Sequence, residues 1–242
     1  MRNLLVITQK VDINDDILGF FHEWIRAFSE RCDRVTVICL KLGEYDLPPN
    51  VRVFSLGKEK LEIRNWKLEI LQKFKYLFNF YKYIWQERNN YDAVFAHMNP
   101  QYIPLGWPLW KLWDKTISLW YAHGHVPLML RIADRLTNIA FAATPEGYRL
   151  NSHKLKIVGQ GIDVNKFKPV ASERWHDVFK IVSIGRISPS KDYETLIRAV
   201  EILVPDRQLQ VEIDGSPANS SHTKYLKKLK QAIAEKNFDD RI

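Results

Sequence analysis

Two cations sit in a connector where an apolar run hands over to an amphipathic one: Arg186 and Lys191 in "SIGRISPSKDYETLIRAV", residues 183 to 200. A planar guanidinium presents a fork to phosphate oxygens, and an ammonium on a flexible stem supplies a mobile point charge. Gly185, just before Arg186, lets backbone approach a ligand closely. The amphipathic run predicts a helix from about Ser190, whose free N–H groups and partial positive charge suit an anion. Ligands of doubly wound sheets bind outside the carboxyl ends of strands, which is where "KIVSIG" delivers Arg186. From these residues alone two readings stand, a phosphate site and a pair of solvated loop charges.

Other residues occupy similar positions. His123 and His125 flank Gly124 in "WYAHGHVP", directly after the apolar run "ISLWY". A histidine on a strand-to-helix loop can orient or polarise a hydroxyl, and this reading is preferred for His123; for His125 a structural role is preferred. Gly19, in "DILGFFHEWIRAF", stands where the first strand meets the first helix, as a place for a ligand to approach or as a turn residue. His97, His123 and His125 lack the spacing of a zinc set, so no metal site is expected. There is no Asp-x-Asp triplet, the pair with which metal-dependent transferases hold a cation on a diphosphate. Any diphosphate must then be neutralised by protein cations and dipoles. No cofactor is expected either. "GQGIDV" (Gly159, Gly161, Val164) begins like a dinucleotide fingerprint but lacks the third glycine, and Gly185 to Lys191 lacks the end of a P-loop.

The elements that must position these residues alternate along the chain. Strands are expected at "NLLVIT", "RVTVICL", "VRVFSL", "DAVFAHM", "TISLWYAHG", "NIAFAAT" and "KLKIVG". Helices are expected over Leu18 to Glu30, Arg64 to Gln86 and Pro127 to Leu136, from apolar residues at helical period. Val, Ile and Leu runs without strict alternation imply strands covered on both faces, hence parallel sheets in an α/β doubly wound fold. Residues 161–178, rich in Gly, Asp, Asn, Pro and Ser, read as an interdomain linker. The pattern then restarts with the strand "KIVSIG", a helix over Ser190 to Leu203, the strand "LQVEID" and a helix over His222 to Lys236. This gives a first domain over 1–165 and the start of a second over 166–242, too short to bury a sufficient core alone.

Bulk properties narrow the classes. The 242 residues are 46% hydrophobic and 26% charged, with a formal net charge of +8, which suits anionic partners. The basic residues are interspersed with Asp and Glu, so no nucleic-acid tail stands out, and nucleic acid is not the expected partner. Cys32 and Cys39 are the only cysteines, in keeping with a cytoplasmic protein. No signal peptide or spanning stretch is evident. Residues 64–88 carry a basic, aromatic, amphipathic helix; Ile70, Leu71, Phe74, Leu77, Phe78, Tyr81, Ile84 and Trp85 form its apolar stripe. Packing on the sheet is the preferred reading of that stripe, and an anionic membrane on the inner face is the alternative. The tryptophans of "GWPLWKLW" are expected in the core.

Taken together, the chain resembles family 4 glycosyltransferases of the two-domain Rossmann type, GT-B. Three stretches carry the likeness in order: "LGFFHEWIRAFSERCDRVTVI", "YAHG", and "VGQGIDVNKFKP" with "VSIGRISPSKDYETLIRAVEIL". The family linker corresponds to Gly161, Ile162, Asp163, Phe167 and Pro169. The resemblance implies that Gly185, Arg186 and Lys191 bind a donor diphosphate, that His123 lies near the reacting sugar and that Gly19 lies near the phosphates. It also sets Gly215, in "IDGSPANSS", at a glycine position of the next strand end. It implies metal-independent transfer of a sugar from a UDP- or GDP-sugar, with retention, to a glycan, lipid or small-molecule acceptor. The family's carboxylate pair belongs beyond Ile242, so the second domain reads as incomplete. The first alternative is a nucleotide-sugar-binding fragment without activity; the weaker one, motivated by the net charge of +8 and the aromatic basic helix, is a nucleic-acid-binding protein.

Overall fold

The computed structural model describes residues 3–58, 66–168, 178–203, 209–238 and 241. They fall into two units, Met1–Ile162 and Asp163–Ile242. The first contains β1 (Asn3–Val11), α1 (Phe20–Ser29), β2 (Arg34–Leu42), β3 (Val51–Ser55), α2 (Trp66–Gln86) and β4 (Ala93–His97). It continues with α3 (Tyr102–Leu112), β5 (Thr116–Trp120), α4 (Leu128–Leu136), β6 (Ile139–Ala142) and β7 (Leu155–Ile157). Its seven strands are all parallel, in the order β3-β2-β1-β4-β5-β6-β7.

The reversal of strand order at β1 explains why that strand reads as continuously apolar. Alternate residues point to opposite faces. Leu5 and Ile7 join a core with Phe80, Ile84, Trp110 and Leu130. Val6 joins a second core with Val37, Phe21 and Ile25. Both layers are apolar, so no polar alternation survives in the sequence.

Helix α3 has no counterpart among the expected helices, because Pro104 and Pro108 argue against one. Pro104 sits in the first turn, where an N–H has no helical partner. Pro108 removes only the bond to the Pro104 carbonyl, and burial of Trp110 offsets that loss. Trp110 is fully buried and its Nε1 donates to the Tyr91 hydroxyl at 3.2 Å. A Cβ at Gly106 would stand 2.3 Å from the Trp110 ring, so glycine makes the seat for it.

Helix α2 corrects the expectation that its apolar stripe packs on the sheet. Phe80 and Ile84 are fully buried, but Ile70, Leu71, Phe74, Phe78 and Trp85 stay exposed. The helix is apolar on two sides, and the sheet covers one. The expected start at Arg64 lies outside the described residues.

The second unit contains β8 (Phe179–Ile184), α5 (Tyr193–Leu203), β9 (Leu209–Asp214) and α6 (Ser220–Glu235). β8 and β9 pair in parallel, Ile181 opposite Val211. Tyr193, Ile197, Tyr225 and Leu229 form one small core, and Val200, Leu209 and Val211 another. Val182 and Ile184 of β8 point away from these cores and remain exposed, so this sheet is covered on one face where cover on both was expected. Most of the expected linker, residues 169–177 with Pro169, lies outside the described residues. Among the described residues no helix is long and apolar enough to cross a membrane.

Candidate functional site

In the second unit the ends of β8 and β9 meet backbone to backbone. The Gly185 N–H donates to the Asp214 carbonyl at 2.9 Å, and Ile187 N–H to the Ser216 carbonyl at 3.1 Å, continuing the ladder past both strands. A Cβ on Gly215 would stand 1.9 Å from the Gly185 carbonyl oxygen, so any side chain there would force the loops apart. Gly185 itself has φ +152°, a conformation that L side chains rarely adopt. A Cβ on it would lie 3.3 Å from Lys191 Cε and 3.5 Å from Nζ, which places the ammonium over the glycine. The structure thus brings Gly185, Arg186, Lys191 and Gly215 together at the carboxyl end of this sheet. Arg186 and Lys191 are exposed, and neither has an ion-pair partner among the described residues.

The helix after this loop differs from expectation. Pro189–Lys191 form a short 3-10 turn, Asp192 takes φ +50°, and α5 starts only at Tyr193. The left-handed Asp192 breaks the helical path, so Lys191 lies in the turn and not in the helix. The Tyr193 N–H donates to the Tyr225 hydroxyl at 3.2 Å and the Thr195 N–H to the Asp192 carbonyl at 3.1 Å. Two donors expected to face an anion are therefore used inside the unit. What remains to meet an anion is the glycine loop and its two side-chain cations.

In the first unit Gly19 does stand between β1 and α1, but its neighbourhood is internally satisfied. Lys10 pairs with Asp12 at 2.8 Å and with Asp15. The hydrogen bond from Lys10 holds the Asp12 carboxyl below the usual carboxylate range. Asp15 accepts from the N–H groups of Ile17 at 3.0 Å and Leu18 at 2.7 Å, and its carbonyl accepts from Gly19 N–H at 2.9 Å. Gly19 has ordinary helical φ and ψ, so space is what demands it: a Cβ would stand 2.6 Å from the Asp15 carbonyl oxygen.

His97, at the end of β4, is buried, with its ring stacked 3.8 Å from that of Phe21 and Thr8 Oγ1 3.2 Å from its Nδ1. Burial pushes its pKa down to about 3, against an ordinary value near 6.5. Folding therefore excludes a proton that the unfolded chain takes up below pH 6.5. The linkage makes stability fall as pH drops from about 6.5 towards 3, by up to about 1.4 kcal/mol per pH unit from this group. Urea titrations at pH 7, 6 and 5 should show that loss. His97→Phe should flatten the slope by one proton; an unchanged slope would mean another group carries it.

The loop after β5 is held by a different set of bonds. The His123 N–H donates to the Gly147 carbonyl at 2.9 Å, which ties the loop to the one after β6. The His125 N–H donates to His123 Nδ1 at 3.0 Å. A neutral His123 then carries its proton on Nε2, and the exposed ring offers a donor, not a base. His125 contributes its backbone: its carbonyl accepts from the Tyr121 hydroxyl at 2.9 Å. Sequence reasoning missed Arg149, whose guanidinium carbon lies 3.3 Å from where a Cβ on Gly124 would stand. The available signal was its position in the turn after "NIAFAAT", another strand end. Among the described residues no three His, Cys, Asp or Glu gather to hold a metal ion.

No protein-family model and no curated protein matches the chain. Solved structures do. The crystal structure of Anabaena HepE in complex with UDP matches with a TM-score of 0.72 at 17% identity, over 100% of this chain and 68% of that one. TarM matches with a TM-score of 0.68 at 8% identity, over 100% of this chain and 76% of that one. A putative UDP-N-acetylglucosamine 2-epimerase from Listeria monocytogenes gives 0.53 at 10% identity, over 94% of this chain and 66% of that one. The chain has the GT-B fold.

Proposed function

We propose that the chain belongs to a nucleotide-sugar-dependent glycosyltransferase of the retaining, family 4 type, and that it works in the cytoplasm without metal or cofactor. The observation that carries this reading is the glycine-lined loop in which Arg186 and Lys191 stand exposed at a strand end. When the bond between the anomeric carbon and the phosphate oxygen breaks, the electron pair stays on the departing nucleoside diphosphate. Arg186 and Lys191 would stabilise that charge, the work a divalent cation does elsewhere. Gly185 and Gly215 let the two strand ends close on each other, which sets Lys191 over the loop beside Arg186. His123, with its Nε2–H outward, would donate to a sugar hydroxyl and so orient the ring. The acceptor would be a glycan, a lipid-linked saccharide or a small molecule. UDP in the HepE structure supports the nucleotide class, and the epimerase likeness means that transfer has to be separated from epimerisation.

Calorimetric titration with UDP, GDP and ADP, followed by incubation with the matching nucleotide sugars, tests the reading. Binding of UDP or GDP, with release of the free nucleoside diphosphate from the sugar nucleotide, is the expected result. Binding without release would favour the binding-only alternative. Isomerised sugar nucleotide would point to epimerisation, and no nucleotide binding would overturn the proposal.

A further inference from the structure

The outward side of α2 is apolar where a helix packed on a sheet is normally polar. Ile70, Phe74, Phe78, Tyr81 and Trp85 follow one another at helical spacing, while Phe80 and Ile84 turn into the core. Phe74 is 65% exposed, Phe78 69% and Trp85 53%. Helix α3 extends the surface. The Tyr81 hydroxyl donates to the Leu105 carbonyl at 2.9 Å, and Trp113 meets Trp85 edge to face at 5.5 Å. Leu112 is 75% exposed, and an apolar groove of about 590 Å³ runs past Phe78, Trp85 and Leu109.

Positive charge surrounds this surface. In α2 the one acidic residue is Glu69, held by Lys73 at 3.0 Å, and Lys75 and Lys82 add further cations. Arg88 sets its guanidinium over the Trp85 ring at 5.1 Å. Across α3, at the amino ends of β5 and β6, lies a second cavity of about 650 Å³, on the opposite end of the sheet from His123. Lys111, Arg135, Lys154 and Lys156 line it together with Asp114. Lys154 is spent on the carbonyls of Asp134, Arg135 and Thr137, closing α4. Lys111, Arg135 and Lys156 are exposed.

We propose that this face of the first unit docks on an anionic phospholipid bilayer. The aromatic stripe of α2 with Leu112 enters the boundary between headgroups and acyl chains, and the basic cavity beside α3 takes lipid phosphates. Charge decides the occupant. A second copy of this chain, joined through the same face, would bring the lysines of α2 and α3 against each other. With no helix among the described residues able to cross a bilayer, the contact is interfacial. The proposal is independent of the proposed function.

Flotation of the full chain with vesicles of phosphatidylcholine, alone or with about 30% phosphatidylglycerol, tests it at low and high salt. Binding is expected only to the anionic vesicles and should weaken as salt screens the charges. Phe74→Ser with Phe78→Ser should lower partitioning by about ten-fold or more, because two exposed rings no longer enter the interface. Lys111→Glu with Arg135→Glu should lower it while leaving the aromatic stripe in place. Because all four side chains are exposed, circular dichroism of both variants should match the parent, and nucleotide binding should be unchanged. Binding that is equal on neutral vesicles, or unaffected by either pair, would overturn the proposal. So would a dimer by light scattering that Phe78→Ser dissolves in the absence of lipid binding.

Discussion

Arg186→Ala is expected to weaken binding of UDP or GDP by about 1.5–3 kcal/mol, roughly ten- to a hundredfold in the dissociation constant. The magnitude is that of a hydrogen bond to a charged group. Arg186 is exposed and lacks an ion-pair partner among the described residues, so its removal leaves no buried charge behind and should not disturb folding. Arg186→Lys separates charge from shape: an ammonium keeps the field but loses the fork, so it should recover only part of the affinity. Lys191→Met should act in the same direction and less than additively, since in the proposed site both cations would face one diphosphate. The measurement is calorimetric titration with the nucleoside diphosphate at fixed ionic strength. Equal affinity in Arg186→Ala and the parent would return Arg186 to an ordinary loop charge.

The glycines frame that experiment. Gly215 and Gly185 touch through backbone, with less than a methyl group of room between them. A variant at either position would move Arg186 and damage the sheet together, so its loss of binding would not be interpretable. The cations are the sharper probes because they are the part of the loop that folding does not need.

What was legible in the sequence follows from what each feature depends on. The strands of the first unit were readable because a sheet buried on both faces makes uninterrupted apolar runs, and Leu5, Val6 and Ile7 are all fully buried. The meeting of Gly185, Arg186 and Lys191 was readable because all three lie in one short connector. Gly215 came from the resemblance, since nothing local says which strand will pair beside β8. Helix α3 was hidden by Pro104 and Pro108, whose cost is offset by burial of Trp110 that no local pattern reveals. The late start of α5 depends on the backbone of Asp192, and Arg149 reaches Gly124 through a contact between two loops. The two sides of α2 were legible as apolar but not as different, because period alone cannot say which side a sheet will cover.

His123→Ala is expected to lower donor turnover by about a hundred- to a thousandfold, the scale of losing one preorganised donor at a reacting centre, while UDP affinity stays at the parent level. The split follows from the placement of the ring. His123 is fixed by the His125 N–H on Nδ1 and by its own N–H on Gly147, so its Nε2–H is oriented before any substrate arrives. It belongs to the first unit, whereas Arg186 and Lys191, the proposed diphosphate ligands, belong to the second, so the two losses should fall on different steps. His123→Gln retains an N–H donor and should recover part of the rate. His125→Ala supplies the internal control, because the bond to Nδ1 comes from backbone and survives any change of that side chain except to proline. Rates are read as nucleoside diphosphate released from the sugar nucleotide, and affinities by calorimetry on the same preparations. If His125→Ala is as damaging as His123→Ala, the ring of His125 acts directly and the assignment of the donor to His123 fails. If His123→Ala weakens UDP binding and turnover equally, the residue serves the diphosphate, and the sugar must be oriented by another group, for which Arg149, reaching Gly124 from the loop after β6, is the candidate to test next.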